Sequence, residues 1–115
     1  MTITEKMAEV DDLLTHVWMV RTFLKHSEEA EEDEDLQKVH RMLYDYMHTL
    51  GVFWDKRDAE GYIGQASRKW HRLRNAKDQF VELQPEISTH MNFQMARRSL
   101  EQAVDKIGRL LGTVS

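Results

Sequence analysis

Apolar residues recur along most of the chain at intervals of three and four, the spacing that puts them on one face of an α-helix. No stretch alternates strictly between apolar and polar residues, as a half-buried β-strand does. One proline and five glycines leave few interruptions between these periodic segments. The pattern therefore predicts an all-α protein.

At about 100° per residue, the apolar positions form four stripes, which predict helices at about 4–29, 34–56, 59–82 and 86–111. In chain order the stripes contain Met7, Val10, Leu14, Val17 and Leu24; Leu36, Val39, Leu43, Tyr46, Met47, Leu50, Phe53 and Trp54; Ala59, Ile63, Ala66, Trp70, Leu73 and Phe80; and Phe93, Ala96, Leu100, Ala103, Val104, Ile107 and Leu111. Four stripes with short connections favour an antiparallel up-and-down four-helix bundle. A chain of 115 residues is long enough for one such domain, which we predict over residues 1–115.

Three residues predict where helices begin or end. Asp58 is placed to cap the third helix, since its side chain can accept hydrogen bonds from free backbone N–H groups. Pro85 suits the first turn of the fourth helix, where a missing N–H costs nothing. Gly112 follows the last apolar residue and predicts the end of that helix.

The first connection is a run of seven acidic residues within Glu28–Asp35, with neither glycine nor proline. Like charges three and four residues apart disfavour a helix, and acids suit a helix start better than a helix end. We therefore predict a turn near residues 30–34. A single continuous helix is the alternative, and it would imply a dimer of helical hairpins. The run lacks the Asp-x-Asp-x-Asp-Gly pattern of a calcium loop.

Charge is unevenly distributed along the chain. Residues 1–60 carry 7 Lys and Arg against 15 Asp and Glu, a balance of −8, whereas residues 61–115 carry 9 against 5, a balance of +4. The two halves are expected to attract each other. The chain has no cysteine, which excludes disulfides and thiolate chemistry and fits a reducing compartment. With neither a signal peptide nor a membrane span in the sequence, the expected location is the cytoplasm.

The histidines do not have metal-ligand spacing. A di-iron bundle needs Glu-x-x-His pairs, and only Asp45–His48 comes close. No two histidines lie four residues apart. His16, His26 and His40 lie on the flanks of their stripes and are interpreted as histidines at the edge of the core. We predict no metal site and no cofactor.

An alternative catalytic site lies on the second helix. Arg41, Asp45 and His48 share the face opposite its apolar stripe. The Arg41–His48 spacing resembles the Arg-x4–6-His pair of HEPN ribonucleases, small helical dimers. The resemblance implies phosphate positioning and acid–base cleavage of RNA, although Met42 stands where that family usually has a polar residue. The simpler interpretation is an exposed Arg41–Asp45 ion pair beside an uninvolved histidine, with no catalytic residue.

The segment RKWHRLRNAK, residues 68–77, gives the third helix a basic side. Nucleic-acid-binding domains usually combine net positive charge with free aromatic residues. This chain has a net charge of −4, and Trp70 is predicted to face the core. The segment is therefore interpreted as compensation for the acidic first half, and nucleic acid is not an expected partner.

Arg21 lies near the middle of the first apolar stripe, where an unpaired charge costs several kcal/mol. The favoured interpretation is a snorkelling side chain, packed along its stem with its head at the surface. The alternative is an anion, small ligand or metal held near Arg21, with His16 and His40 as further candidates for the anion or ligand.

Four apolar residues lie off the core stripes and are candidates for an interface. They are Met19, Phe23, Met91 and Met95. Exposed apolar residues at helical spacing often form a partner surface, and methionine suits adaptable contacts. Twofold pairing is the commonest soluble assembly, so a homodimer is predicted.

The phrases HVWMVRTFLKHSEEAEEDE, VHRMLYDYM and QPEISTHMNF are similar to those of small bacterial all-helical proteins with no established activity. The similarity covers most of the chain. Some such sequences carry an amidohydrolase label, but that metal-dependent barrel needs about 250 residues and a His-x-His cluster. The leading hypothesis is thus a non-enzymatic, dimeric helical bundle that acts through protein contacts.

Overall fold

The computed structural model describes residues 1–112, which contain five helices and no strand. The helices are α1 (Ile3–Lys25), α2 (Glu28–Glu32), α3 (Glu34–Asp55), α4 (Ala59–Ile87) and α5 (Met91–Leu111). The all-α prediction is confirmed. Each of the four predicted helices has a counterpart, and α2 is an additional short helix.

The apolar faces of the four long helices bury one cluster of side chains. Helix α3 packs along α4, α1 packs against α3 and α5, and α4 also contacts α5. The largest fully buried side chains include Tyr46, Tyr62 and Phe80. Complete burial of one large apolar side chain contributes about 1.5–3 kcal/mol, so this cluster is the main source of stability.

Predicted helix ends at Asp58 and Gly112 are confirmed. The Asp58 Oδ1 accepts a hydrogen bond from the Gly61 N–H at 2.9 Å, at the start of α4. Gly112 ends α5 in the left-handed region, with φ of 71°. At the start of α1, the Thr2 and Glu5 side chains each accept from the other's backbone N–H, at 3.1 and 3.0 Å. These caps satisfy donors and acceptors that a helix end leaves free.

One helix cap precedes the acidic run and a second interrupts it. The Ser27 Oγ accepts from the Ala30 N–H at 3.2 Å, and Asp33 Oδ1 accepts from the Leu36 N–H at 2.9 Å. Between these caps the chain forms α2. The chain does break inside the predicted turn at 30–34, but only at Asp33, and a second break that was not predicted lies before Glu28. The alternative of one continuous helix is wrong. Capping oxygens and the burial of Ala30 outweigh the repulsion among the acids.

Pro85 does not begin a helix, as predicted, but lies in the last turn of α4. Helix α4 continues past residue 82 because Ile87 still packs against the core. The buried Gln84 holds this end, since its Nε2 donates to the Ser88 carbonyl at 2.8 Å. Helix α5 starts only after His90, whose Nδ1 accepts from a backbone N–H. The proline costs α4 one hydrogen bond, because residue 85 has no N–H to donate to the carbonyl of residue 81.

Tyr62, rather than the predicted Ile63, is the fully buried residue in the first turn of α4, and Ile63 is only partly buried. The Tyr62 hydroxyl donates to Asp11 Oδ1 at 2.9 Å, and the Tyr46 hydroxyl donates to the Ala66 carbonyl at 2.9 Å. Burial raises the pKa of both phenols above the ordinary 10.0. A tyrosine enters this core because its hydroxyl finds a partner on another helix.

The turn between α3 and α4 is tight. Arg57 adopts a left-handed conformation with φ of 55°, and its guanidinium lies 4.6 Å from the Trp54 ring centroid. The Asp58 N–H donates to the Phe53 carbonyl at 2.9 Å. A Cβ on Gly61 would collide with the Asp58 carboxylate and the Phe53 ring, so this close approach requires glycine.

Candidate functional site

The Arg21 guanidinium lies between two aromatic rings where α1 contacts α3. Its Cζ is 4.9 Å from the Trp18 ring centroid and 4.7 Å from the Tyr44 ring centroid. The Arg21 Nε is buried, with no hydrogen-bond partner among residues 1–112. Arg21 as a whole is half-buried, so the expected snorkelling stays a prediction, and its guanidinium also makes cation–π contacts that each contribute about 0.5–2 kcal/mol.

The stack extends along α3, since the rings of Tyr44 and His48 lie 5.5 Å apart and 16° from parallel. Neither Trp18 nor Tyr44 was predicted from the sequence as a partner of Arg21. Part of the signal was present, because Trp18 precedes Arg21 by three residues and so neighbours it on the helix surface. The Tyr44 contact depends on how α1 and α3 pack, which the sequence does not give.

Next to this stack, an open groove of about 480 Å³ lies between α1 and α3. Its apolar lining includes Trp18, Met19, Tyr44, Met47 and Trp54. Two carboxylates, Asp11 and Asp55, also line it. The lining suits an apolar contact with charged groups beside it.

Three of the four interface candidates are exposed. The exposed fraction is 66% for Met19, 57% for Met91 and 48% for Met95, and Trp18, which neighbours Met19 in the sequence, is 45% exposed. Phe23 differs from the prediction, because it packs against the core with its ring 5.0 Å from the Phe93 ring in an edge-to-face contact. Helix α5 covers that side of α1, so Phe23 is not free for a partner.

The three anion candidates do not converge on one site. His16 is exposed and lines a groove of about 540 Å³ between α1 and α5, together with Met95, Arg98 and Lys106. His40 is half-buried on α3, close enough to Arg21 for that charge to affect its protonation. The structure therefore brings together Arg21 and His40 and separates His16 from them.

His40 belongs to a cluster of basic side chains where α1, α2 and α3 meet. Burial lowers the pKa of His40 below its ordinary 6.5, and the positive charges of Arg21, Arg41 and Lys25 lower it further. Lys25, His40 and Arg41 line a groove of about 360 Å³, with Glu31 as its one acidic residue. We call this the junction groove.

Arg41, Asp45 and His48 lie on one exposed side of α3 but make separate contacts. Arg41 Nε donates to the Gln37 carbonyl at 3.4 Å, and Asp45 lines a groove with residues of α4. His48 stacks on Tyr44. The expected Arg41–Asp45 ion pair is not formed. The ion pairs within residues 1–112 are Lys77–Asp78, Arg97–Glu101 and Arg109–Asp105. The HEPN-like hypothesis stays a prediction.

The basic side of α4 offers no free aromatic ring. Trp70 is buried, as predicted, and the Arg74 guanidinium lies 5.3 Å from its ring centroid. Arg68 donates to Gln65 Oε1 at 2.9 Å. This surface therefore lacks the stacking platform that single-stranded nucleic acids use.

Comparison of the chain with protein-family models, curated proteins and solved structures gives no match. Within the described part of the chain, no three His, Asp or Glu side chains are grouped to hold a metal ion. None of the helices there combines the length and apolar character that crossing a bilayer requires. The similarity to small bacterial helical proteins stays a prediction, and function is argued from the surface itself.

Proposed function

We propose that the chain is an antiparallel up-and-down four-helix bundle without catalytic activity, which acts through protein contacts as a homodimer. The observation that carries the proposal is a set of exposed apolar side chains on two helices that pack together, Trp18 and Met19 of α1 and Met91 and Met95 of α5, which we call the α1–α5 surface. The absence of cysteine fits a reducing compartment, and cytoplasmic assembly is part of the proposal.

The helix contacts support the bundle. Each long helix packs against the helix that follows it or precedes it in the chain, and α1 also packs against α5. Phe23, near the end of α1, contacts Phe93, near the start of α5. At the other end, Leu13 of α1 lines a groove with Leu110 of α5. These pairs are what an antiparallel arrangement of α1 and α5 requires.

The α1–α5 surface is centred on the middle of α1. Trp18 and Met19 are adjacent on α1 and line one groove, while Met95 lines another groove with His16 on the side of α1 that faces α5. Interface energy concentrates in central aromatic residues, and methionine adapts to the opposing surface. An exposed tryptophan beside an exposed methionine is therefore a suitable centre for an interface.

The order of charges along α1 supports a second copy as the partner. Glu5, Glu9, Asp11 and Asp12 lie in the first half of the helix, and Arg21 and Lys25 lie in the second. An antiparallel contact between two α1 helices sets the acidic half of each against the basic half of the other. Trp18 lies seven residues from both Asp11 and Lys25, so a twofold axis at Trp18 places these two residues opposite each other across the contact.

The test is native mass spectrometry and sedimentation of wild type, Met19→Glu and Val52→Glu at several concentrations. Val52 is the matched control, because it is 51% exposed but lies on α3, outside the α1–α5 surface. We expect a metal-free dimer whose Kd rises at least about tenfold in Met19→Glu, since an unpaired charge is costly to bury. Val52→Glu should assemble as wild type does. A wild-type monomer at every concentration, or equal effects of the two substitutions, would contradict the proposal.

A further inference from the structure

The junction groove concentrates positive charge, and Glu31 is the one acidic side chain in its lining. Lys25 of α1 and His40 and Arg41 of α3 line it, and Arg21 lies close to His40. We propose that this groove binds a small dianion of phosphate chemistry, held by Lys25, His40 and Arg41. The site shares Lys25 with the charge pairing proposed between two α1 helices, but it lies within a single chain and does not rest on self-association.

The basic groups are unpaired although an acidic run lies close by in sequence. Seven acids occupy residues 28–35, yet within residues 1–112 no carboxylate forms an ion pair with Arg21, Lys25, His40 or Arg41. The caps of α2 and α3 explain part of this, since the Asp33 carboxylate is bonded to a backbone N–H. Basic groups held together without a counterion raise each other's energy, and a bound anion relieves that repulsion.

Polar contacts fix one wall of the groove. Gln37 Nε2 donates to the Ala30 carbonyl at 2.7 Å, which ties α2 to α3. Arg41 uses only its Nε within the described residues, in the 3.4 Å contact with the Gln37 carbonyl. Its two terminal nitrogens therefore point to no protein acceptor. A guanidinium with both terminal nitrogens available suits the paired oxygens of a phosphate.

The charges that face the groove favour a dianion over a monoanion. Lys25 and Arg41 carry two permanent positive charges, and Glu31 of α2 removes one. Arg21 of α1 adds a further charge near His40. His40 is the group whose protonation can change when the anion binds. A bound dianion offsets the neighbouring positive charges, so the imidazole can take up a proton. The volume of about 360 Å³ accommodates a phosphate with a small organic group.

The test is a titration with inorganic phosphate, followed by the NMR signals of the six histidines. It is made on the Met19→Glu variant, so that dimer formation does not enter the measurement. We expect saturable binding in the millimolar range or tighter, with the His40 signals shifting most and the pKa of His40 rising. Loss of this response would overturn the site and leave the dimer proposal untouched.

Substitutions distinguish specific phosphate binding in the junction groove from nonspecific attraction to positive charge. Lys25→Gln and Arg41→Gln, both at exposed positions, should each weaken phosphate binding about tenfold, as expected for loss of one charge-assisted contact. Glu31→Gln should strengthen it. Arg109→Gln is the control, because it removes the same charge from α5, where Arg109 pairs with Asp105. If Arg109→Gln weakens binding as much as Arg41→Gln, the assignment is wrong.

Two further ligands define the chemistry. Acetate should bind at least about tenfold more weakly than phosphate, and equal affinity would overturn the choice of a dianion. Phenyl phosphate distinguishes the two sources of the group. Tighter binding than inorganic phosphate indicates a phosphate monoester as the ligand, and equal affinity indicates free phosphate.

Discussion

Side chains on the core face of α4 are buried and hydrogen-bonded, whereas several on α1 are exposed or lack a hydrogen-bond partner. On α4, Tyr62, Ala66, Leu73 and Phe80 are fully buried, and the Tyr62 hydroxyl and the Ala66 carbonyl each take part in a hydrogen bond to another helix. On α1, large apolar side chains such as Met19 are exposed. The Nε of Arg21, on the same helix, is buried and has no hydrogen-bond partner in the described chain.

This difference separates residues that stabilise the fold from residues that are available for contacts with other molecules. The α4 face is closed, so substitutions there act on stability. The α1 side keeps exposed apolar area, so substitutions there are expected to act on the proposed assembly rather than on stability. A protein whose only requirement was to fold would gain nothing from a half-exposed tryptophan beside an exposed methionine.

The largest contrast is expected between Phe80→Ala and Met19→Ala. Phe80→Ala leaves a cavity in the core and should lower the free energy of unfolding by about 3–5 kcal/mol. Met19→Ala should change it by no more than about 0.5 kcal/mol in the monomer. Urea unfolding at low protein concentration measures both. A large loss of monomer stability in Met19→Ala would show that the α1 side is core after all.

Alkaline pH should lower the stability of the fold through two buried tyrosines, Tyr46 of α3 and Tyr62 of α4. The pKa of Tyr46 and of Tyr62 is raised in the fold, chiefly by burial, with the Asp11 charge adding to the effect at Tyr62. Their contribution to stability is therefore complete below the unfolded pKa of 10.0 and is lost as the pH rises above it. Near pH 11 the loss is about 1.4 kcal/mol for each tyrosine.

Urea unfolding between neutral pH and about pH 11 tests this, with Tyr46→Phe and Tyr62→Phe as the comparisons. Each substitution should lower stability at neutral pH, since a hydrogen bond contributes about 1 kcal/mol, and should also flatten the alkaline loss. An unchanged alkaline slope in both variants would mean that these phenols ionise freely in the folded protein.

Charge exchange tests the antiparallel contact proposed for α1. Asp11→Lys and Lys25→Asp should each weaken homodimer formation, by about tenfold in Kd, because like charges then face each other. A mixture of the two variants should form a heterodimer, since every facing pair is again complementary. Sedimentation of each variant and of the mixture measures this.

Asp45→Lys on α3 is the control for the same change of charge outside the contact. Thermal melts check the fold of Asp11→Lys, because Asp11 also accepts the Tyr62 hydrogen bond. If the mixed variants associate no better than either alone, the α1 pairing is wrong, even where the α1–α5 surface is still used.

The smallest contrast concerns two glycines. Gly51 is an exposed helical residue beside the α1–α3 groove, with open space where a Cβ would stand. Gly51→Ala should stabilise the fold by about 1 kcal/mol. Gly61→Ala should destabilise it by about 1 kcal/mol or more, because the new Cβ displaces the capping Asp58 carboxylate. Thermal or urea unfolding of both variants measures these stability changes. Equal changes in stability would contradict the packing described for Gly61.

The long helices could be predicted from the sequence because burial repeats with the helical period. Val10, Val17 and Leu24 are fully buried, as the stripe of α1 indicates. The caps at Asp58 and Gly112 were equally readable, because each depends on residues only a few positions away. Local chemistry and periodicity were enough for these features.

The errors concern residues whose role depends on packing between helices. Pro85 suits either end of a helix, and only the contact of Ile87 with the core decides that α4 continues through it. Phe23 is off the centre of its stripe, yet α5 approaches and covers it. The same holds for the candidate site, since the exposure of Met19 was predictable but the meeting of Lys25, His40 and Arg41 was not.

The three tryptophans are buried to different degrees, so their fluorescence reports on different parts of the protein. Trp70 is buried, Trp54 is half-buried against the core, and Trp18 is exposed with the Arg21 guanidinium over its ring. Emission from Trp18 therefore responds to whatever covers the middle of α1, while that of Trp70 follows unfolding alone. Fluorescence of a chain that retains only Trp18 would report assembly without any attached dye.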